Sequence, residues 1–374
     1  MLSYVEISKD NLLHNFNTLR SLVRPGVEVV AVVKANAYGH GQNEVVSILE
    51  PIADRFQVDD LAELRLLREI SQKSVLVLGY VAESEIAEML DLGGIPCVYD
   101  AGQIRTINAA AKRSGTRATV HVKIDAELGR QGVLPEKTRE IIAVLKTCDY
   151  IRVEAIYSHF ANIEDTSDFS HAKKQIDAFE RATSMFRENG FKHIKTHLSA
   201  SSGIMAYEYA GGTSDLVRPG IGLYGMWPSD DLKERLGKEG LVLKPVLRWV
   251  THIAQVKTLP TGHSVGYGLT FVTTMPTKIA VIPQGYSDGY DRGLSNKGEV
   301  LIGGTRCPVL GRVAMNMFVA DVSHLESVSR EDEVVLLGAQ GGERITAEEI
   351  ADRLCTINYE ITTRISPLLP HIVV

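Results

Sequence analysis

The residues from Val29 to Gly41 read VVAVVKANAYGHG, an apolar β-branched run that ends in Lys34 and turns over at once into Asn36, Tyr38, Gly39, His40 and Gly41. A run of this length bounded by turn signals predicts a strand buried on both faces. A lysine at such a strand end sits half in low dielectric, which disfavours its ammonium form. A lysine that can shed its proton is what a Schiff base to a carbonyl cofactor requires. The alternative is a side chain that snorkels into solvent, and this stretch alone leaves both readings open. Further polar residues follow later apolar runs: Lys123, Asp125 and Arg130; Ser158 and His159; Ser199, Ser201 and Ser202; then Arg218, Gly220, Ile221 and Gly222. A serine beside backbone N–H groups at glycine could hold a phosphate. Singly each has a plainer role, as a turn, a cap or a packed histidine; their arrival beside one lysine favours a site. No cysteine or histidine spacing suits a metal.

These residues need a common scaffold. An opening strand-like piece at 3–7 and a helical pattern at 9–23 precede an alternation of strands and helices. Strands are expected at 29–34, 56–58, 74–79, 96–99, 120–124, 151–157, 194–198 and 216–223. Helical patterns fall at 61–70, 101–115 and 172–190, with Gly115 and Gly190 as C-caps. Eight apolar strands each followed by a helix predict a (β/α)₈ TIM-like barrel, and the GxGxxG of an open dinucleotide-binding sheet is missing. A barrel would gather the polar residues at the C-terminal ends of its strands, with a phosphate site after the last two. Near residue 240 the texture turns strand-rich and broken by glycine and proline, with one helix at 346–356 capped by Thr346. The expected domains are therefore 1–240, the barrel, and 241–374, a mostly β domain, with residues 1–8 available to pair with the latter.

A net charge of −6 without a basic block argues against nucleic acid and anionic membrane as partners. No apolar run is long enough to span a membrane, and MLSYVEISKDNLLHNF does not read as a signal peptide. Cys97, Cys148, Cys307 and Cys355 are scattered singly, as expected of thiols in the cytoplasm.

Five segments in order resemble the alanine racemases, pyridoxal-phosphate enzymes with a barrel followed by a β domain. VVKANAYGHG is similar to the cofactor-lysine motif of that family, and VRPGIGLYG (217–225) to the segment after the eighth strand. VGYGLTF (265–271) resembles the motif of the base tyrosine, GRVAMNMFVADV (311–322) the loop near the substrate carboxylate, and TINYE (356–360) a phosphate-contacting tyrosine, Tyr359. The resemblance implies pyridoxal 5'-phosphate as cofactor, with Lys34 as its Schiff-base lysine and Tyr267 as the opposing base. It places Tyr38, His159, Ser201, Arg218, Gly220, Ile221 and Tyr359 around the cofactor, with Arg218 at the pyridine nitrogen. It places Arg130 and the Met315 N–H at the substrate carboxylate, and Lys123 where some members carry a carbamate. It also implies a small amino-acid substrate, D-alanine supply for peptidoglycan, and a head-to-tail homodimer in which the partner lends Tyr267 and Met315.

Racemisation needs a proton removed from one face of a planar carbanion and another delivered to the opposite face, which two flanking bases provide. The chain departs from the family's pattern at DAELGR (125–130), Ala200-Ser201, Met315-Asn316 and the terminal SPLLPHIVV. Racemisation of another amino acid such as serine is one alternative. A fold-related decarboxylase is another, although its GGG-type phosphate loop and catalytic cysteine motif are not found. A barrel-only cofactor carrier would end near residue 240 and lack Tyr267.

Overall fold

A computed structural model of the chain describes residues 1–165 and 167–374. It divides into two compact units, one of Leu12–Ala37 and Val45–Lys244, the other of Met1–Asn11, Tyr38–Glu44 and Pro245–Val374.

The first strand, β1 (Tyr4–Ile7), belongs to the second of these units. The next eight build the first: β2 (Glu28–Val32), β3 (Arg55–Val58), β4 (Val75–Val77), β5 (Gly94–Val98), β6 (Ala118–Lys123), β7 (Ile151–Tyr157), β8 (Lys195–His197) and β9 (Leu216–Val217). All pair in parallel, in the order β8-β7-β6-β5-β4-β3-β2-β9. The seam between β8 and β9 is closed by the Asp215 N–H to the Thr196 carbonyl (2.8 Å) and the Arg218 N–H to the Ser199 carbonyl (2.9 Å). The strands are short, β-branched and buried, as parallel strands covered on both faces must be. Helices between them start where an aspartate can accept an orphan N–H: Asp60 from Glu63 (3.0 Å) and Asp100 from Gln103 (2.8 Å). Gly115 (φ 66°) and Gly190 (φ 103°) follow helix ends in the left-handed region, as expected of C-caps.

Eight strands form where eight were expected, but the last is much shorter than 216–223. Pro219 cannot donate to a ladder, and the chain passes instead into a 3₁₀ turn at Ile221–Tyr224. That early end frees the backbone of 220–222 for other bonds.

In the second unit the strands β10 (Leu247–His252), β11 (Gln255–Leu259), β12 (Thr277–Ile282), β13 (Glu299–Ile302), β14 (Thr305–Leu310), β15 (Phe318–Asp321), β16 (Glu333–Gln340), β17 (Glu343–Ile345) and β18 (His371–Val373) join β1. Their order is β11-β12-β15-β14-β13-β16-β10-β1-β18, with β17 on β16. β1 runs antiparallel to β10, Tyr4 opposite Val250 and Ile7 opposite Leu247. The helix Ala347–Leu354 begins at Thr346, whose hydroxyl accepts the Glu349 N–H (3.1 Å). A second helix, Asn358–Thr363, was not expected; six residues rich in β-branched side chains carry no helical stripe to read. Among the described residues no helix is long and apolar enough to cross a membrane.

Candidate active site

The strand carrying Lys34 ends at Val32, and Lys34 opens a turn of an unusual kind. Ala35, Asn36, Ala37 and Tyr38 hold φ of 52°, 52°, 53° and 56°, a left-handed helical turn made without glycine. Each such residue costs roughly 1–2 kcal/mol relative to the right-handed form. The turn is tied down: the Ala37 N–H reaches the Val33 carbonyl (2.9 Å), and the Ala35 N–H reaches the Glu63 carboxylate (2.6 Å). The other oxygen of Glu63 takes the Asp59 N–H (2.7 Å), so one side chain fixes the exits of both β2 and β3. Lys34 Nζ lies 3.2 Å from Asp59 Oδ1, with both side chains partly exposed.

In the same unit Arg218 is buried just past β9, the strand paired with β2. Its Nη1 donates to His197 Nδ1. Its Nη2 donates to the carbonyls of Ser158 (2.9 Å) and Leu198 (3.3 Å), with His159 Nδ1 at 3.5 Å. No carboxylate pairs with it among the described residues, and its Nε–H is given to no protein acceptor there. Burial pulls the guanidinium down to about 10. Burial, and then the charge of Arg218, holds His159 down to about 3, so its imidazole is neutral.

Ser201 Oγ accepts the N–H groups of Gly220 (3.0 Å) and Gly222 (3.1 Å), which leaves the hydroxyl hydrogen to give. The Ile221 N–H, at the start of the 3₁₀ turn, has no protein acceptor among the described residues. Both residues are buried, so two donors converge after β8 and β9, where barrels hold phosphates. Arg130 is carried by a loop built on Asp125, whose carboxylate takes the N–H groups of Leu128 (3.0 Å), Gly129 (2.9 Å) and Arg130 (3.1 Å). Lys123 is buried at the end of β6, 3.4 Å from Gln131 Oε1 and 5.7 Å from the ring centre of Tyr157. Burial, and then the charge of Arg130, lowers its ammonium to about 8.

The remaining expected residues lie in the other unit. Tyr38 and Tyr359 have ring centres 6.1 Å apart. Between them the backbone is packed so closely that a Cβ on Gly39 (φ 83°) would stand 1.9 Å from the Thr362 carbonyl oxygen. Tyr267 is 74% exposed in a 3₁₀ turn entered through Gly266 (φ 70°). Met315 is exposed; its carbonyl accepts the Ser287 N–H (3.0 Å) and hydroxyl (2.8 Å), while its own N–H has no protein acceptor among the described residues.

These donors suit pyridoxal 5'-phosphate. A buried guanidinium with an unclaimed N–H matches a ring nitrogen, the Ser201 and Ile221 donors match a phosphate, and Lys34 stands at the barrel mouth. The family model described as "Alanine racemase, N-terminal domain" matches residues 7–228, and "Alanine racemase, C-terminal domain" matches 246–373. The chain belongs to the alanine racemase family. It is 40% identical over 373 residues to the alanine racemase of Carboxydothermus hydrogenoformans, covering 99% of both chains. It superposes with a TM-score of 0.93 and 30% identity on the Bacillus anthracis alanine racemase with bound L-Ala-P, covering 100% of this chain and 95% of that one. The Bartonella henselae alanine racemase with covalently bound pyridoxal phosphate matches with TM-score 0.86 and 27% identity over the whole of both chains.

Membership in the alanine racemases makes pyridoxal phosphate the cofactor and sharpens what sequence reading overlooked. Asp59, Glu63, His121, Glu154, Gln131 and His197 all bond to expected residues or to one another, yet none was singled out. For Glu154 and His121 a signal existed, a charged or imidazole side chain inside otherwise apolar strands. For Asp59 and Glu63 there was none, because a DDLAE run reads as an ordinary helix start.

Proposed function

We propose that this protein interconverts L- and D-alanine with pyridoxal 5'-phosphate, as the alanine racemases that supply D-alanine for peptidoglycan do. The observation that carries the reading is the setting of Arg218, a buried cation with a spare N–H and no carboxylate beside it. A guanidinium leaves a ring nitrogen largely unprotonated, which limits electron withdrawal and suppresses side reactions such as transamination. The chemistry that the cofactor supplies when bound is withdrawal of electrons from the substrate Cα, which makes its proton labile. Lys34 anchors the cofactor covalently, and its Nζ moves a proton on one face of Cα. On the other face the proton is moved by Tyr267 Oη of a second copy in a head-to-tail homodimer. Exposure of Tyr267 and Met315 supports that sharing. The Ser201 hydroxyl and the Ile221 N–H hold the phosphate, with the Gly220 N–H fixing Ser201 Oγ in place; the family's pattern adds Tyr38 and Tyr359 to the cofactor's contacts. His159 and Arg218 supply the polar surroundings that a tyrosinate base needs.

Arg130 binds the substrate carboxylate together with the partner's Met315 N–H, and a carbamate on Lys123 orients Arg130. We also place the domain boundary near residue 240 and the enzyme in the cytoplasm. The test is to incubate purified protein with L-alanine, L-serine and L-lysine separately and follow the D-enantiomer. D-alanine should accumulate to a one-to-one mixture; no enantiomer exchange with alanine would refute the reading, and faster exchange of serine would reassign the substrate.

A further inference from the structure

Arg218 is one end of a hydrogen-bonded chain that runs down the barrel interior. Its Nη1 donates to His197 Nδ1, His197 Nε2 lies 2.9 Å from His121 Nδ1, and His121 Nε2 lies 3.1 Å from Glu154 Oε2. Both imidazoles are fully buried, and Tyr157 stacks on His197 at 4.6 Å with the rings 2° from parallel. Glu154 is clamped in turn by both terminal nitrogens of Arg55, each at 2.8 Å. Arg55 Nε donates to Glu28 (2.5 Å), and Lys195 also pairs with Glu28. Glu28, Arg55 and Lys195 are the first residues of β2, β3 and β8. The chain therefore links the N-terminal end of the barrel, ordinarily concerned with stability, to the catalytic end.

Counting protons leaves one arrangement. A guanidinium only donates and a carboxylate only accepts. Three bonds between them, through two imidazoles, need three hydrogens. Arg218 supplies one, so each imidazole supplies one and is neutral. Burial lowers the proton affinity of His121 and, much further, of His197, in agreement with that count. His197 must then carry its hydrogen on Nε2, and so must His121. The reverse order would set a His197 Nδ1–H against the Arg218 N–H.

We propose that Glu154, acting through His121 and His197, is a positioning residue for Arg218. As a pure acceptor it fixes the direction of every proton in the chain, which holds Nη1 on His197 and leaves Nε–H for the cofactor ring nitrogen; this last step rests on the function proposed above. A network serving only to plug the barrel would have no such directional demand.

The experiment is ¹⁵N NMR of the histidine rings in the full chain, stripped of cofactor and then loaded, together with the absorption band of the bound cofactor. Wild type should show His121 and His197 neutral with hydrogen on Nε2 in both states. In Glu154→Gln, whose amide can donate as well as accept, a second His197 population with hydrogen on Nδ1 should appear, and the cofactor band should move. An imidazolium or an Nδ1–H at His197 in wild type would overturn the proposal, whether or not the variant folds. So would a Glu154→Gln protein that melts earlier but keeps both tautomers and the band. Tautomer mixing in the stripped variant with an unmoved band would keep the relay and refute the placement of Arg218 at the ring.

Discussion

Lys123 should capture carbon dioxide under conditions in which surface lysines do not. Burial and the neighbouring charge of Arg130 bring its ammonium down to about 8 from the usual 10.5. At pH 7.5 about a quarter of such a side chain is the neutral amine, against about one part in a thousand for an unperturbed lysine, a gain of roughly 200-fold. The neutral amine attacks carbon dioxide, an N–C bond forms and one proton leaves. The side chain changes from a cation to an anion, so its repulsion by Arg130 becomes attraction, which favours the product further. Adding ¹³C-bicarbonate to the protein should give one carbamate carbonyl resonance in ¹³C spectra. That resonance should be missing from Lys123→Ala and retained in Lys34→Ala. Since Arg130 is the proposed carboxylate ligand, removing bicarbonate should raise KM for alanine more than it lowers kcat. Absence of the resonance at saturating bicarbonate, or its survival in Lys123→Ala, would refute the reasoning.

Lys34→Ala should lose the hydride-reducible bond to the cofactor, measured as borohydride-fixed pyridoxyl mass on the chain. Tyr267→Phe should keep that mass and lose racemisation by about 10²-fold or more, a typical loss when a positioned base is removed; turnover like wild type would exclude it as a base. Gly39→Ala should destabilise the fold by about 2–3 kcal/mol, read as the urea midpoint, because its Cβ would meet the Thr362 carbonyl at a residue held at positive φ. Acid should weaken the fold early. His121, His159 and His197 all bind protons less readily folded than unfolded, through burial first. Their contribution is complete above the unfolded imidazole value of about 6.5 and is lost as pH falls through it toward the folded values. A urea midpoint constant from pH 7.5 to 4.5 would contradict this.

The barrel was legible because a buried parallel strand writes itself as a short apolar run, and eight such runs separated by helical stripes admit few alternatives. The chemical residues were legible where they follow strand ends, which is why Lys34, Lys123, His159, Ser201 and Arg218 stood out. What stayed hidden depends on contacts far apart in the chain. Glu154 bonds His121 across 33 positions and Glu63 bonds Ala35 across 28. The helix Asn358–Thr363 was missed for want of any periodicity, and β9 was overextended because apolar residues continue past the proline that ends it.

The turn after Lys34 shows why strand position alone does not explain this lysine. Four consecutive left-handed residues represent ~4–8 kcal/mol of local conformational cost, far more than a turn sequence with glycine would incur. Such a cost persists only where surrounding bonds over-determine the conformation. Here Glu63 does so with one carboxylate, taking the first N–H of the turn and the N–H of Asp59 together. Hydrogen bonds to a charged carboxylate contribute about 1.5–3 kcal/mol each, enough to offset much of the strain. The same clamp brings the Asp59 carboxylate to 3.2 Å from Lys34 Nζ. The direction of the lysine, its ion pair and the shape of the loop are thus one construction spanning the exits of two strands. Changing Glu63 should disturb Lys34 more than any substitution within β2 itself.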